Sequence, residues 1–323
     1  MTGGNGILLS LENIFKHFPV KTSFFSREML RVHAVDGVSL DVPAGKTVGL
    51  VGESGCGKTT LGRVALRLIS PDGGTIRFDG RDITNLSGEE MRRTRRMMQI
   101  IFQDPYSSLN PRMRVCDIVG EGWLVHGMAH RGEIREKALR LLLRVGLSED
   151  AADKYPHEFS GGQRQRIGIA RAIALSPKLV VADEPVSALD VSVQAQILNL
   201  LKDIQDEYGM AYLFVSHDLR VIRHVSDVVA VMYLGKLMEV SPAEELFCRP
   251  LHPYTRSLLA AVPMIGGAPR EKIVLRGEIP SPLAPPPGCR FHTRCFMAEK
   301  VCEEVCPVFR ESAPGRFTAC HFV

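Results

Sequence analysis

Residues Gly52-Glu53-Ser54-Gly55-Cys56-Gly57-Lys58-Thr59 set glycines, a lysine and a hydroxyl at the spacing of a loop that cradles phosphate oxygens. Glycine lets successive backbone N–H groups converge on an anion where a helix begins, and the helix dipole favours negative charge there. Lys58 then reaches the β- and γ-phosphates of a nucleotide and Thr59 ligates Mg²⁺, with Ser54, Gly55, Cys56, Gly57 and Thr60 completing the contacts.

Further residues could finish a phosphoryl-transfer site. Asp183 closes the apolar run Val180-Val181-Ala182, so its carboxylate belongs at a sheet edge, where it can hold the Mg²⁺ shell. Glu184 comes next and suits a general base aimed at a water; an ordinary strand-end acid pair at a helix start is the competing reading. His217 ends another apolar strand, Phe214-Val215-Ser216, and fits a γ-phosphate contact or a structural histidine. Gln103, after Ile100-Ile101-Phe102, could touch Mg²⁺ and the lytic water or merely cap a strand.

The loop Ser160-Gly161-Gly162-Gln163 opens the helical run Arg164 to Ala174 and makes a second helix N-terminus suited to an anion. The Lys58 loop is already complete and has no use for it. The inference is a head-to-tail dimer in which this loop closes on the γ-phosphate held by the other protomer; the bland alternative is a glycine-rich helix cap.

These residues need elements to carry them. Ile7 to Ile14, Ala34 to Val42 and Thr47 to Val51 read as strands, and Leu61, Val64, Ala65 and Leu68 repeat at helical spacing after the glycine loop. Residues 105 to 158 read as mainly helical, with Leu139, Leu142, Leu143 and Val145 on an apolar face. Strands at Leu179 to Ala182, Tyr212 to Val215 and Val228 to Met232 alternate with helices at Val193 to Tyr208 and Leu219 to His224. Such alternation predicts an α/β fold with a parallel sheet covered by helices. We expect a P-loop NTPase (RecA-like) core with an N-terminal antiparallel β-subdomain, an inserted helical subdomain at about 105–170 and a small Cys-rich C-terminal domain. The boundaries follow as 1–245 for the ATP-binding domain and 246–323 for the C-terminal one, where prolines interrupt regular structure.

With 323 residues the chain can bury two modest cores, and a net charge of +4 does not argue for nucleic acid. No stretch approaches the roughly 20 apolar residues of a membrane-spanning helix, and no secretory signal is visible, so a cytoplasmic location is expected. Five of the eight cysteines crowd into the last 35 residues, which in such a compartment points to metal before disulfides. Cys289, Cys295, Cys302 and Cys320 could hold Zn²⁺ or an iron–sulfur cluster or remain reduced thiols, and their spacing does not choose; Cys306, beside Pro307, is left out.

Taken together, the motifs resemble those of the nucleotide-binding subunit of an ABC transporter over about residues 7 to 323. Gly52 to Thr59 is similar to its Walker A, Gln103 to its Q-loop, Ser160 to Gln163 to its signature, Val180 to Glu184 to its Walker B, Ser187 to Asp190 to its D-loop and His217 to its switch histidine. Phe159 stands where many members have leucine. The run from Phe102 to Pro111 and the cysteine tail resemble the second, F-type ATPase of the dipeptide and oligopeptide importer branch. That resemblance implies adenine stacking by Phe18, where members often have tyrosine, and a nucleotide contact by Asp190. It implies a [4Fe-4S] site on Cys289, Cys295, Cys302 and Cys320. It also implies a head-to-tail heterodimer with a second, homologous ATPase subunit, two membrane-spanning permease subunits fed by an external solute-binding protein, and attachment to the cytoplasmic face of the inner membrane. The segment just after Gln103 would then form the groove for a permease helix. Competing functions are an importer ATPase for nickel or another small solute, a soluble ABC-type ATPase of translation or repair, and an iron–sulfur regulator in which ATP is only a switch.

Overall fold

A computed structural model describes residues 6–21, 29–261, 273 and 277–323. Its strands, in chain order, are β1 (Ile7–Lys21), β2 (Met29–Pro43), β3 (Thr47–Val51), β4 (Gly73–Phe78), β5 (Arg81–Asp82), β6 (Met98–Ile101), β7 (Leu179–Asp183), β8 (Ala211–Val215), β9 (Val228–Tyr233), β10 (Lys236–Pro242), β11 (Arg310–Ala313) and β12 (Arg316–Thr318). The chain forms two compact units. The first holds Val42–Lys46, Asn85–Val215 and the described residues up to Leu8, and the second holds the described residues of Leu9–Asp41, Thr47–Thr84 and Ser216–Val323.

In the first unit β6, β7 and β8 run parallel, with Ile100 opposite Val181 and Val181 opposite Leu213. Every residue of β7 and β8 is buried, which explains why both read as unbroken apolar runs rather than alternating ones. Helices Val115–Val125, Arg131–Arg144, Gly161–Ile173 and Val191–Tyr208 belong to this unit. Trp123 is buried, and its indole Nε1–H donates to the Ala174 carbonyl at 2.7 Å. The expected apolar face of helix Arg131–Arg144 is shifted: Ile134, Ala138, Leu142 and Val145 are buried whereas Leu143 is 46% exposed. Adjacent residues diverge by about 100° around a helix, so Leu142 and Leu143 cannot both face inward.

The second unit contains two sheets. One has the order β2-β1-β4-β5, with β1 and β4 antiparallel and Leu9 opposite Phe78; it is the N-terminal β-subdomain expected from the sequence, though β1 continues to Lys21 rather than ending at Ile14. In the other, β3 and β9 are parallel, and β10, β12 and β11 add antiparallel strands beyond β9. The cysteine-bearing tail thus contributes two strands to the edge of β10. Helix Lys58–Ala65 buries Leu61, Val64 and Ala65, but ends before Leu68, which is 47% exposed.

Strand β10 is absent from the sequence expectation because it carries Glu239, a charge in the middle of a strand yet fully buried. Its carboxylate accepts backbone N–H bonds from Leu251 at 3.0 Å and His252 at 2.9 Å and pairs with Arg316 at 3.5 Å. A buried carboxylate persists only with such partners.

Candidate nucleotide and thiol sites

The glycine loop of the second unit leads from β3 into helix Lys58–Ala65. Gly57 sits at φ +106, and a Cβ there would lie 1.9 Å from the Ala34 carbonyl oxygen, so only glycine fits. Lys58 is 5% exposed, and its Nζ donates to the carbonyls of Gly52 at 2.8 Å and Glu53 at 3.0 Å. Cys56 Sγ lies 3.8 Å from that ammonium, yet burial raises the thiol pKa and keeps it protonated. Ser54 and Gly55 are exposed at the tip, and Thr59 and Thr60 are half-buried in the first helical turn. His217 is exposed, one residue after Ser216, whose N–H bonds the Leu50 carbonyl of β3 at 3.1 Å. That bond ties His217 to the strand feeding the loop. Phe18 is half-buried on β1 with the Lys16 ammonium 5.5 Å from its ring centre.

The first unit assembles the carboxylate group. Asp183 is buried at the end of β7, and Glu184 follows with φ +46, a left-handed backbone that is costly for a residue with a side chain. The Glu184 N–H donates to Val215 at 2.9 Å, which holds the turn. Its Oε2 accepts from Gln103 Nε2 at 2.9 Å, so two residues 81 positions apart meet side chain to side chain. Ser160 caps helix Gly161–Ile173: its Oγ accepts from the Gln163 N–H at 3.3 Å while Gln163 Oε1 accepts from the Ser160 N–H at 2.9 Å. Asp190 caps helix Val191–Tyr208 through the Val193 N–H at 3.1 Å, and hydrogen bonds from Ser192 and Val193 lower its pKa. A Cβ on Gly162 would meet Val193 at 2.6 Å, so the glycine allows the two caps to approach.

One link was invisible in the sequence. Arg171, on the helix that Ser160 opens, donates to the Ser108 carbonyl at 2.6 Å and lies 5.7 Å from the Phe102 ring centre. Arg164 on the same helix lies 5.0 Å from the Tyr106 ring centre. The Ser160-capped helix therefore grips the segment on both sides of Gln103.

In the tail, Cys289 and Cys302 are buried, Cys295 and Cys320 half-buried, and Cys306 exposed; none of the described cysteines forms a disulfide. Burial, together with the charges of Cys302, Cys295 and Cys320, pushes the Cys289 thiol up to about 11. Burial likewise raises the Cys295 and Cys320 thiols. A tetrahedral Zn²⁺ with bonds of about 2.3 Å would need sulfurs about 3.8 Å apart. Among the described residues, no three cysteine sulfurs lie within 4.8 Å of one another.

Comparison with known proteins fixes the family. The ABC transporter family model matches residues 35–187, and the model of the oligopeptide/dipeptide transporter C-terminal region matches 238–302. The oligopeptide transport ATP-binding protein AppF of Bacillus subtilis is 53% identical over 326 residues, covering 99% of each chain. The chain belongs to the ABC transporter ATP-binding family. Among solved structures, the ATP-binding cassette MJ0796 dimer in a post-hydrolysis state, bound to ADP and Pi, matches this ABC ATPase with a TM-score of 0.65 and 28% identity over 73% of the chain and 99% of its own. The cbiO1 subunit from Clostridium perfringens, part of the ABC transporter complex cbiONQ, matches with a TM-score of 0.63 and 28% identity over 75% of this chain and 91% of its own. ATP hydrolysis coupled to transport is the activity of this family.

A second group in this ABC ATPase went unnoticed in the sequence. His17, His33 and Asp36 each bring one ligand-type atom within 4.8 Å of the others, and the two histidine rings lie 4.3 Å apart. Asp36, however, is already paired with Arg290 and with Lys236 at 3.4 Å, and those two cations oppose a bound dication. Burial and the neighbouring His17 lower the His33 pKa. No sequence signal joins residues on two strands 16 positions apart.

Proposed function

We propose that this ABC ATPase is the motor subunit of a peptide importer, binding ATP with Mg²⁺ and hydrolysing it within a head-to-tail dimer beneath two permease subunits. The observation that carries the reading is the likeness to an oligopeptide transport ATP-binding protein across 99% of both chains, tail included. Lys58 and the loop N–H groups would neutralise the phosphates, Thr59, Gln103 and Asp183 would hold Mg²⁺, which when bound would neutralise developing charge, and Phe18 would stack on the base. Glu184, oriented by Gln103, takes a proton from water as the water oxygen attacks the γ-phosphorus and the bond to ADP breaks. His217 contacts the γ-phosphate. Ser160 to Gln163 and Asp190 serve the nucleotide held by the partner ATPase, which as in related importers is a second, homologous chain.

A groove of about 410 Å³ supports the permease part of the reading. It is lined by Met113, Asp117, Glu121, Leu124, Val125, Arg131 and Ile134, and Leu124 and Val125 are 40% and 53% exposed. Apolar residues beside two carboxylates and the Arg131 guanidinium suit an amphipathic helix with a polar face. No helix among the described residues is long and apolar enough to cross a membrane, and the pore is assigned here to the permease subunits. An external binding protein delivers the peptide. For the tail, residues 246–323 are read as a small C-terminal region in which Cys289, Cys295, Cys302 and Cys320 would hold a [4Fe-4S] group, which when bound would supply a cross-link.

The test is Glu184→Gln. Turnover should fall at least a hundredfold while ATP binding persists and the dimer becomes stable to gel filtration in ATP; undiminished turnover sinks the general-base assignment.

A further inference from the structure

Glu53 is a carboxylate inside a loop that has to receive a polyanion, and the structure shows what offsets it. Arg294 places Nη1 at 2.7 Å from Glu53 Oε2 and Nη2 at 3.1 Å from Oε1, a bidentate pair whose side chains are 7% and 21% exposed. Arg294 Nη1 also lies 3.4 Å from the Tyr233 hydroxyl, and its guanidinium carbon 5.9 Å from the ring centre. Burial works against that charge, but the hydrogen bonds it donates to Glu53 and Tyr233 hold its pKa above the usual arginine value. A second tether reaches the same residue: the Glu53 N–H donates to the Tyr254 hydroxyl at 3.0 Å. Tyr254, Tyr233 and Phe291 are fully buried and pack with ring centres 4.7 to 5.4 Å apart. Arg294 directly precedes Cys295 and follows Phe291, so the cysteine-bearing segment is what delivers its guanidinium to the loop.

We propose that Arg294 is a positioning residue for the phosphate loop, cancelling the Glu53 charge so that the loop can accept ATP. The proposal rests on the reading of Gly52 to Thr59 as the ATP loop. Without Arg294 a bare carboxylate is left among the groups that should attract phosphate, and it both repels the nucleotide and pulls on Lys58, whose ammonium already bonds the Glu53 carbonyl. The tail thereby becomes part of the nucleotide site, although none of its residues belongs to the loop.

The experiment measures binding of a fluorescent ATP analogue with Mg²⁺ to the full chain carrying Glu184→Gln, so that hydrolysis does not intervene. Arg294→Met should weaken binding about tenfold, and Arg294→Lys, which keeps the charge, by no more than about threefold. The double variant Arg294→Met with Glu53→Gln should recover to within about threefold of the parent, because no charge is left uncancelled. In the hydrolytically active chain, Arg294→Met should raise KM for ATP with kcat retained. Unchanged affinity in Arg294→Met overturns the proposal, and so does a double variant that binds as poorly as the single one, which marks Arg294 as a packing residue. Should Arg294→Met fail to fold, the double variant carries the test by itself, with near-parent binding as support and lost binding as refutation. A parent chain that binds no ATP at all would instead defeat the ATPase reading.

Discussion

His252 offers a quantitative test of how firmly the tail is seated. The imidazole is 1% exposed, its Nδ1 accepts the Tyr254 N–H at 3.0 Å, and burial pushes its pKa from 6.5 down to about 3. A charged ring would lose both solvation and the acceptor that caps helix Pro253–Ala260. The folded chain therefore refuses a proton that the unfolded chain accepts. Stability from this group is complete above pH 6.5 and is lost as the pH falls towards 3. Each pH unit in that window is worth about 1.4 kcal/mol, so moving from pH 7 to pH 5 should cost about 2 kcal/mol. Urea unfolding of the wild type and of His252→Asn, which keeps a capping acceptor but does not titrate, isolates the term from other ionisations. The wild type should lose about 2 kcal/mol more than the variant over that interval. Parallel losses in the two proteins would show that His252 is solvated or paired with an anion, and the argument from burial would fall.

Two further outcomes follow from the sites. Gly57→Ala, which forces a methyl group against the Ala34 carbonyl at a left-handed φ, should destabilise the loop by a few kcal/mol and abolish ATP binding in equilibrium dialysis; retained affinity would refute the steric reading. Iron and acid-labile sulfide in anaerobically purified protein should vanish with Cys302→Ser and survive Cys306→Ser, and a wild type holding stoichiometric zinc without sulfide would defeat the [4Fe-4S] assignment.

The sequence made the nucleotide-loop chemistry legible because phosphate binding uses contiguous backbone: glycines, a lysine and a hydroxyl at fixed spacing need no knowledge of the rest of the fold. The buried parallel strands were equally plain, since β8, and β7 as far as Ala182, carry no charged residue. What stayed hidden depends on partners distant in the chain. The bond between Gln103 and Glu184, the grip of Arg171 on Ser108 and the pairing of Arg294 with Glu53 join residues separated by 81, 63 and 241 positions, and such polar pairs leave no periodic trace. Strand β10 escaped for a related reason, because a glutamate in its interior is tolerable only once Arg316 and two backbone N–H groups have arrived. The face of helix Arg131–Arg144 was misjudged by one residue, the difference between counting leucines and following the 3.6-residue turn.

The seat of Arg316 makes that residue a keystone for β10 and the helix Ala243–Cys248. Its guanidinium bonds the Arg249 carbonyl and reaches both Glu239 and Glu245. Cutting the chain short of that arginine would strand an anion in a dry interior, at a cost of about 3–5 kcal/mol. The interior around β10 is therefore complete only once a residue 77 positions further along the chain has docked.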